Sequence, residues 1–407
     1  MFKLWKLATR NLRRNKRRSG LTLIAVMVGL ALVIVIHDLE MGAIQGSIDN
    51  NIRLQTGHIQ VRDASYEKDK LPLKWDDLIE NPQEIVARAQ GFSQVQAAAP
   101  VLWASGILAA GEESVSVQVS GITPQSGLSD PYREGLVAGE FLTPDDRTGL
   151  LIGKRLADSL DISVGDDVSL LVNTAEGQPD EAIFTIRGLY HTGFPAFDEG
   201  TVFLPLAKAQ AFTRVGDRAS AVVALLHDKE ATGTVATALQ APELEVLTWR
   251  DLNQLMLQGT EAAMGILYLV YLVVLAIVAV VVANTLLMSV FERTREMGIL
   301  AAMGMKGRQI MAMFLIESAA LGAIGIVMGL LLGSAGVYYL ATEGFYLGDV
   351  SGMVSSELAY GERMYAAFQW ADTAVLCLVC WAIILLASLY PAWFATRKEP
   401  IEALRAQ

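Results

Sequence analysis

Four apolar runs limit what this chain can fold into: Gly20 to Ile36 or a little beyond, Ala262 to Val290, Met311 to Ala341 and Ala371 to Ala395. About 20 helical residues cross roughly 30 Å of hydrocarbon, so each run is read as a membrane helix, with spans at 20–40, 261–290, 311–341 and 371–396. Hydrophobic residues make up 53% of the 407 and charged residues only 18%, more apolar than most soluble chains of this length. The first run follows a basic leader, as a secretory signal core would. It is longer than such a core, however, and HDLEMGAIQ after it offers no small-x-small cleavage site, which favours a retained helix.

Basic residues near the helix ends set the expected orientation. The amphipathic leader, 1–19, carries Lys3, Lys6, Arg10, Arg13, Arg14, Lys16, Arg17 and Arg18 and no acid. The 291–310 loop adds Arg293, Arg295, Lys306 and Arg308, and the 397–407 tail adds Arg397, Lys398 and Arg405. Both termini and the middle loop are therefore expected in the cytoplasm, and 41–260 and 342–370 outside, in a multi-pass protein of the cell inner membrane. The basic leader abuts a membrane helix, where anionic lipid is a sufficient partner; no nucleic-acid partner is expected. In 41–260 acids outnumber bases roughly two to one, which accounts for the net charge of −11 and marks a solvated domain.

Strand and helix signals alternate within that domain. Ser114–Ile122, Gly149–Gly153, Asp166–Val172, Ala182–Tyr190, Gly200–Leu206 and Ala221–His227 have period-two or β-branched character between turn residues, as strands do. NPQEIVARAQ, IGKRLADSL, PLAKAQAFTRV and DKEATGTVATALQ read as helices. The fold class is thus an integral membrane α-helical protein with four transmembrane helices and a large α+β extracytoplasmic domain between helices 1 and 2. That domain is long enough for two subdomains.

Chemistry-bearing constellations are sparse. Cys377 and Cys380 both fall in the fourth helix, where they are two small apolar side chains on one face rather than a redox pair. No cysteine lies near the N-terminus, so the chain is not expected to be lipidated. His37, His58, His191 and His227 are scattered without metal or triad spacing. The GKR at Gly153–Arg155 lacks the upstream glycine and the Ser/Thr of a P-loop. No catalytic or metal residue is expected, and ATP would be bound elsewhere. His37, Asp38 and Glu40 have the chemistry of a polar cluster, but they fall where the first helix meets water and are read rather as a solvated exit.

The stretch FERTREMGILAAMGMKGRQI, Phe291 to Ile310, is different. As a helix, Glu292–Met303 puts Met297, Leu300, Ala301 and Gly304 on one side, with Glu292, Arg293, Arg295 and Glu296 crowding its start. Gly304 and Gly307 then break it. Such a segment can lie in the lipid interface or dock a partner protein; the mixture of both charge signs with small residues favours docking. The third helix carries Gly322, Gly325, Gly329, Gly333 and Gly336, a row that permits close helix packing, either within the chain or across a dimer seam. Charged residues inside the spans are nearly absent; Glu317 is the exception, able to snorkel or to pair with another helix, and is assigned no transport role.

FERTREMGILAAMGMKGRQIMAMFLIES and the tail YPAWFATRKEPIEALR resemble the signature and closing motif of the FtsX-like permease domain. Ala138–Val172 and Phe184–Phe212 are similar to the periplasmic core of MacB-type exporters and of LolC/LolE lipoprotein-releasing permeases, and TGHIQV extends the likeness. It covers nearly the whole chain. The resemblance implies a subunit of a type VII, mechanotransmission ABC transporter: two four-helix permeases beside two copies of a separate ATPase, which supplies ATP and Mg. It also implies that Arg293, Arg295, Glu296, Met297, Gly298, Ile299, Ala302 and Gly304 form the coupling surface for that ATPase. No nucleotide-binding domain is fused to the chain as in MacB, and the outer domain is too large to match FtsX itself. Three functions stay open: release of lipoprotein or other hydrophobic cargo, efflux of small molecules or peptides with a periplasmic adaptor or outer-membrane partner, and regulation of an envelope enzyme. The second permease is a copy or a paralogue.

Overall fold

The computed structural model describes residues 16–66, 74–347 and 362–396. The leader through residue 15, the closing motif from residue 397 and residues 348–361 of the 342–370 loop lie outside the described residues.

Among the described residues, four helices are long and apolar enough to cross a membrane: Lys16–Asn51, Gln254–Glu292, Gly307–Glu343 and Trp370–Thr396. The first as far as Ile44, the second from Thr260, and the whole of the third and fourth fall in one compact unit, Met1–Ile44, Thr260–Phe345 and Met364–Gln407. Its interior is a cluster of Val26, Leu30, Ile34, Leu275, Val278, Val282, Val337, Cys380 and Ile384. Leu21, Ile266, Leu331 and Leu386 remain exposed. A helix apolar all round needs lipid on the side its neighbours do not cover. The first two helices are 36 and 39 residues long, about 54 and 58 Å at 1.5 Å per residue, well beyond one crossing. The first runs past 40 because no proline follows the apolar window, and it closes only in a π-turn at Ile52–Thr56.

The second unit, Gln45–Gly259 with Tyr346–Arg363, is built on a ten-stranded sheet: β1 Ile59–Asp63, β2 Val95–Ala110, β3 Glu113–Ile122, β4 Leu136–Gly139, β5 Gly149–Gly153, β6 Asp167–Asn173, β7 Pro179–Tyr190, β8 Thr201–Pro205, β9 Ala221–Leu226 and β10 Leu244–Thr248. The order is β10-β1-β9-β2-β3-β8-β5-β7-β4, with β6 pairing β2 and β7. β2 is the organising strand. Its first half pairs β9 and its second half pairs β3 and β6, so it serves two cores. One core gathers Leu102, Leu108, Val119, Leu150, Leu170, Phe184 and Val202. The other gathers Ile59, Val61, Val222, Ala224 and Leu226 under Ile85, Val86, Val235 and Leu239. These last four come from the helices Pro82–Gln90 and Thr232–Leu239, whose buried residues recur every three to four positions, the spacing of one helix face.

All six strands read from the sequence are present to within three residues, and the four helices to within four, the last of them preceded by a 3-10 turn at Lys229–Ala231. β1, β2, β4 and β10 were not read as strands. β2, VQAAAPVLWASGILAA, is rich in alanine and broken by Pro100 and Gly106, and carries little β-propensity of its own.

Candidate coupling site

The second membrane helix ends at Glu292, Arg293 leaves helical geometry at φ −105° and ψ 13°, and a new helix runs Thr294–Ala302. The turn is stitched on both sides. Arg293 N donates to Ser289 O and Met297 N to Arg293 O, while the Thr294 hydroxyl donates to Val290 O and Phe291 O. At the far end Gly304 takes φ +93°, a left-handed position that glycine fills without a Cβ penalty. Gln309 Oε1 then accepts from Lys306 N at the start of the third membrane helix.

The short helix packs down on the bundle. Met297 joins Val290, Ile310, Met313, Phe314, Ala392 and Ala395 in one buried cluster, with Ala301 and Met305 against it. The stripe expected to face a partner is therefore turned inward, because the four-residue connection returns Ile310 and Met313 beneath it. Arg293, Met297 and Gly298 are buried and are removed from the expected contact surface; Arg295, Glu296, Ile299, Ala302 and Gly304 are exposed. Ile299 and Met303 are 46% and 72% exposed, four positions apart and so on one helix face. Met303 escaped the sequence reading, although its spacing from Ile299 was there to be read.

The buried Arg293 meets Glu317 of the third membrane helix. Its Nη1 lies 3.2 Å from Glu317 Oε2 and 3.5 Å from Oε1, both side chains almost fully enclosed. Buried charges persist when paired, and this pair fixes the turn to the third helix. Of the two options open for Glu317, pairing is the one observed.

The glycine row faces the chain's own helices. A Cβ built at Gly325 would lie 2.8 Å from Val26 Cγ1, and one at Gly329 3.0 Å from Met27 O. Gly333 and Gly336 abut Ile34 and Val35, and Gly322 abuts Ile384.

The His37–Asp38 segment is not a solvated exit. His37 is 3% and Asp38 0% exposed, because the helix continues to Asn51 and other segments cover this face. Asp38 O accepts from Ala367 N at 2.9 Å, His37 Nε2 lies 3.4 Å from Asp372 Oδ2, and the His37 ring meets the Tyr271 ring edge-on. In the second unit His191 Nδ1 lies 3.0 Å from Asp198 Oδ2, and Arg155 Nη2 lies 2.9 Å from Glu362 Oε1. Burial raises the Asp198 pKa, against hydrogen bonds from Thr192. These pairs span up to 335 residues, which is why histidine spacing did not reveal them. Among the described residues no cluster of ligands suits a metal ion.

Comparison with known proteins agrees with this architecture. Residues 19–241 match the MacB-like periplasmic core domain and residues 268–400 the FtsX-like permease C-terminal domain. The chain is 25% identical to the lipoprotein-releasing system transmembrane protein LolC of Xylella fastidiosa, over 96% of each chain. It is 23% identical to the corresponding LolE of Haemophilus influenzae, again over 96% of each. With the macrolide export ATP-binding/permease protein MacB of Nitrobacter winogradskyi it shares 24% identity over 96% of this chain and 58% of that protein. The chain belongs to the family of ABC permeases that join a MacB-like periplasmic core domain to an FtsX-like permease domain.

Proposed function

We propose that this chain is the membrane subunit of a mechanotransmission ABC transporter and that it releases lipoprotein or similar hydrophobic cargo from the inner membrane. The observation that carries the cargo class is the match to LolC and LolE over almost the full length of both chains. MacB is named for ATP binding and permease together, and this chain matches only 58% of it, which supports an ATPase on a separate polypeptide. The loop between the second and third membrane helices is cytoplasmic in this reading, in keeping with Arg295, Lys306 and Arg308, and the inserted domain is periplasmic.

The ATPase docks on the exposed face Arg295, Glu296, Ile299, Ala302, Met303 and Gly304. ATP-driven closure of two such ATPases moves the short helix. Its turn is locked by Arg293 to Glu317, so the second and third membrane helices move with it, and the long first and second helices carry the displacement to the periplasmic domain.

The test is to purify the tagged chain gently from its own membranes, identify what accompanies it by mass spectrometry, and follow lipoprotein release in cells depleted of it. A stoichiometric ATPase and lipoproteins retained in the inner membrane support the reading. Normal release with altered susceptibility to small molecules would favour MacB-like efflux, which the 24% identity to MacB over nearly the whole chain keeps as the second reading.

A further inference from the structure

The soluble unit holds a buried cation that nothing in the coupling argument uses. Successive residues of β1 point to opposite faces of the sheet. Ile59 and Val61 enter the core with Val222 and Ala224, so Gln60 and Arg62 take the other face. There a cavity of about 420 Å³ opens, bounded also by Trp103 and Ser105 of β2 and by Gln118 and Ser120 of β3. The register pairs Trp103 with Ser120 and Ser105 with Gln118, which brings one aromatic ring and three polar side chains to the same wall.

Arg62 is 8% exposed. Its Nε donates to Gln60 Oε1 at 3.0 Å and its Nη2 donates to the same oxygen. Among the described residues Nη1 has no acceptor and no carboxylate lies within ion-pair distance. The cross-strand neighbour Glu245 is exposed and too far to pair. The guanidinium is instead flanked by the rings of Tyr66 and Trp103, at 5.2 and 5.9 Å. Burial lowers its pKa. An arginine enclosed to this degree ordinarily has an acid against it, and rings beside a planar cation suit a site that receives a ligand's oxyanion. The volume falls in the range of small-molecule sites, and Leu54, Leu78 and Phe203 add apolar lining.

We propose that this cavity binds a small amphiphile bearing a carboxylate or phosphate, with the oxyanion on Arg62 Nη1 and the apolar body against Trp103 and Phe203. The site lies wholly within the soluble unit and stands whether or not the cargo is a lipoprotein.

The full chain in lipid nanodiscs is titrated calorimetrically with dodecanoate, dodecyl phosphate, dodecanol and inorganic phosphate. Expected are saturable binding of the two anionic amphiphiles at one per chain and a loss of roughly 10- to 100-fold in affinity on Arg62→Gln, the value of a charge-assisted hydrogen bond. Ser105→Trp fills the cavity from an exposed position, leaves Arg62 in place, and is expected to abolish binding even if Arg62→Gln fails to fold. Dodecanol binding as tightly as dodecanoate would remove the oxyanion from the proposal. Inorganic phosphate binding as tightly as dodecyl phosphate would remove the apolar body. Undiminished binding to a folded Ser105→Trp chain would overturn the site.

Discussion

Arg293 Nη1 sits 3.2 Å from Glu317 Oε2, each side chain no more than 7% exposed, at the single non-helical residue between the second membrane helix and the short helix that follows. Taking two charges out of water is costly, and removing one partner strands the other, at about 3–5 kcal/mol. Arg293→Met or Glu317→Gln alone is therefore expected to lower the melting temperature of the purified chain and to uncouple ATP hydrolysis by the partner ATPase. The double variant removes both charges together and is expected to regain most of the stability. A double variant that loses the sum of the two single losses would show that the pair is not coupled.

The loop helix has one exposed and one buried face. Arg295 and Glu296 are exposed while Met297 is buried. Charge reversal at Arg295 and Glu296, or Asp at Ile299 and Met303, is expected to weaken ATPase binding at least tenfold without changing the melting temperature. Met297→Ala is expected to do the opposite: a loss of about 2–5 kcal/mol in stability with the docking face intact. Binding assays on solubilised chains, read beside their melting curves, check both. Equal effects from both faces would mean that docking reshapes the whole loop.

The sequence held the layout but not the facing. Membrane spans and six strands were legible because hydrophobic length and period-two alternation are local properties. The inward turn of Met297 was not, because a helical stripe has the same spacing whether it meets a partner protein or Ile310 and Phe314 of its own chain. Likewise His37 and Asp38 looked like a wet helix end while Ala367 and Asp372, more than 300 residues on, covered them. Glu317 announced itself by charge alone; its partner Arg293 was assigned to the docking surface because an arginine beside a membrane helix is ordinarily solvated.

The glycine row sets how closely the third helix approaches the first. At Gly329 a Cβ would come within 3.0 Å of Met27 O and 3.1 Å of Leu30 Cβ, and at Gly325 within 2.8 Å of Val26 Cγ1. Backbone and β-carbon cannot swing aside as a side-chain tip can. Gly329→Val is expected to destabilise by about 1–3 kcal/mol through overpacking. Gly265→Ala, with nothing within 4 Å of its Cβ, is expected to be neutral or to stabilise by about 0.5–1 kcal/mol through helix propensity. Thermal unfolding in one detergent compares them, and a neutral Gly329→Val would mean that the first and third helices separate readily.

Burial of His58 sets the sign of a pH dependence in the second unit. The His58 Nδ1 accepts a hydrogen bond from Leu226 N at 3.1 Å, which requires an unprotonated nitrogen. Burial, aided by Lys229, lowers its pKa, with Asp49 and Asp228 opposing. A histidine whose folded pKa is depressed binds its proton more readily unfolded, so stability is full above the unfolded value of about 6.5. It falls as pH drops through that value toward the folded one. His58→Asn keeps an acceptor near Leu226 N and cannot titrate in this range. Denaturant unfolding of the full chain between pH 7.5 and 5.5 is expected to show a smaller loss of stability for His58→Asn than for the unaltered protein. Identical slopes would show that His58 takes up its proton in the folded state at no cost, and that the bond to Leu226 does not hold in solution.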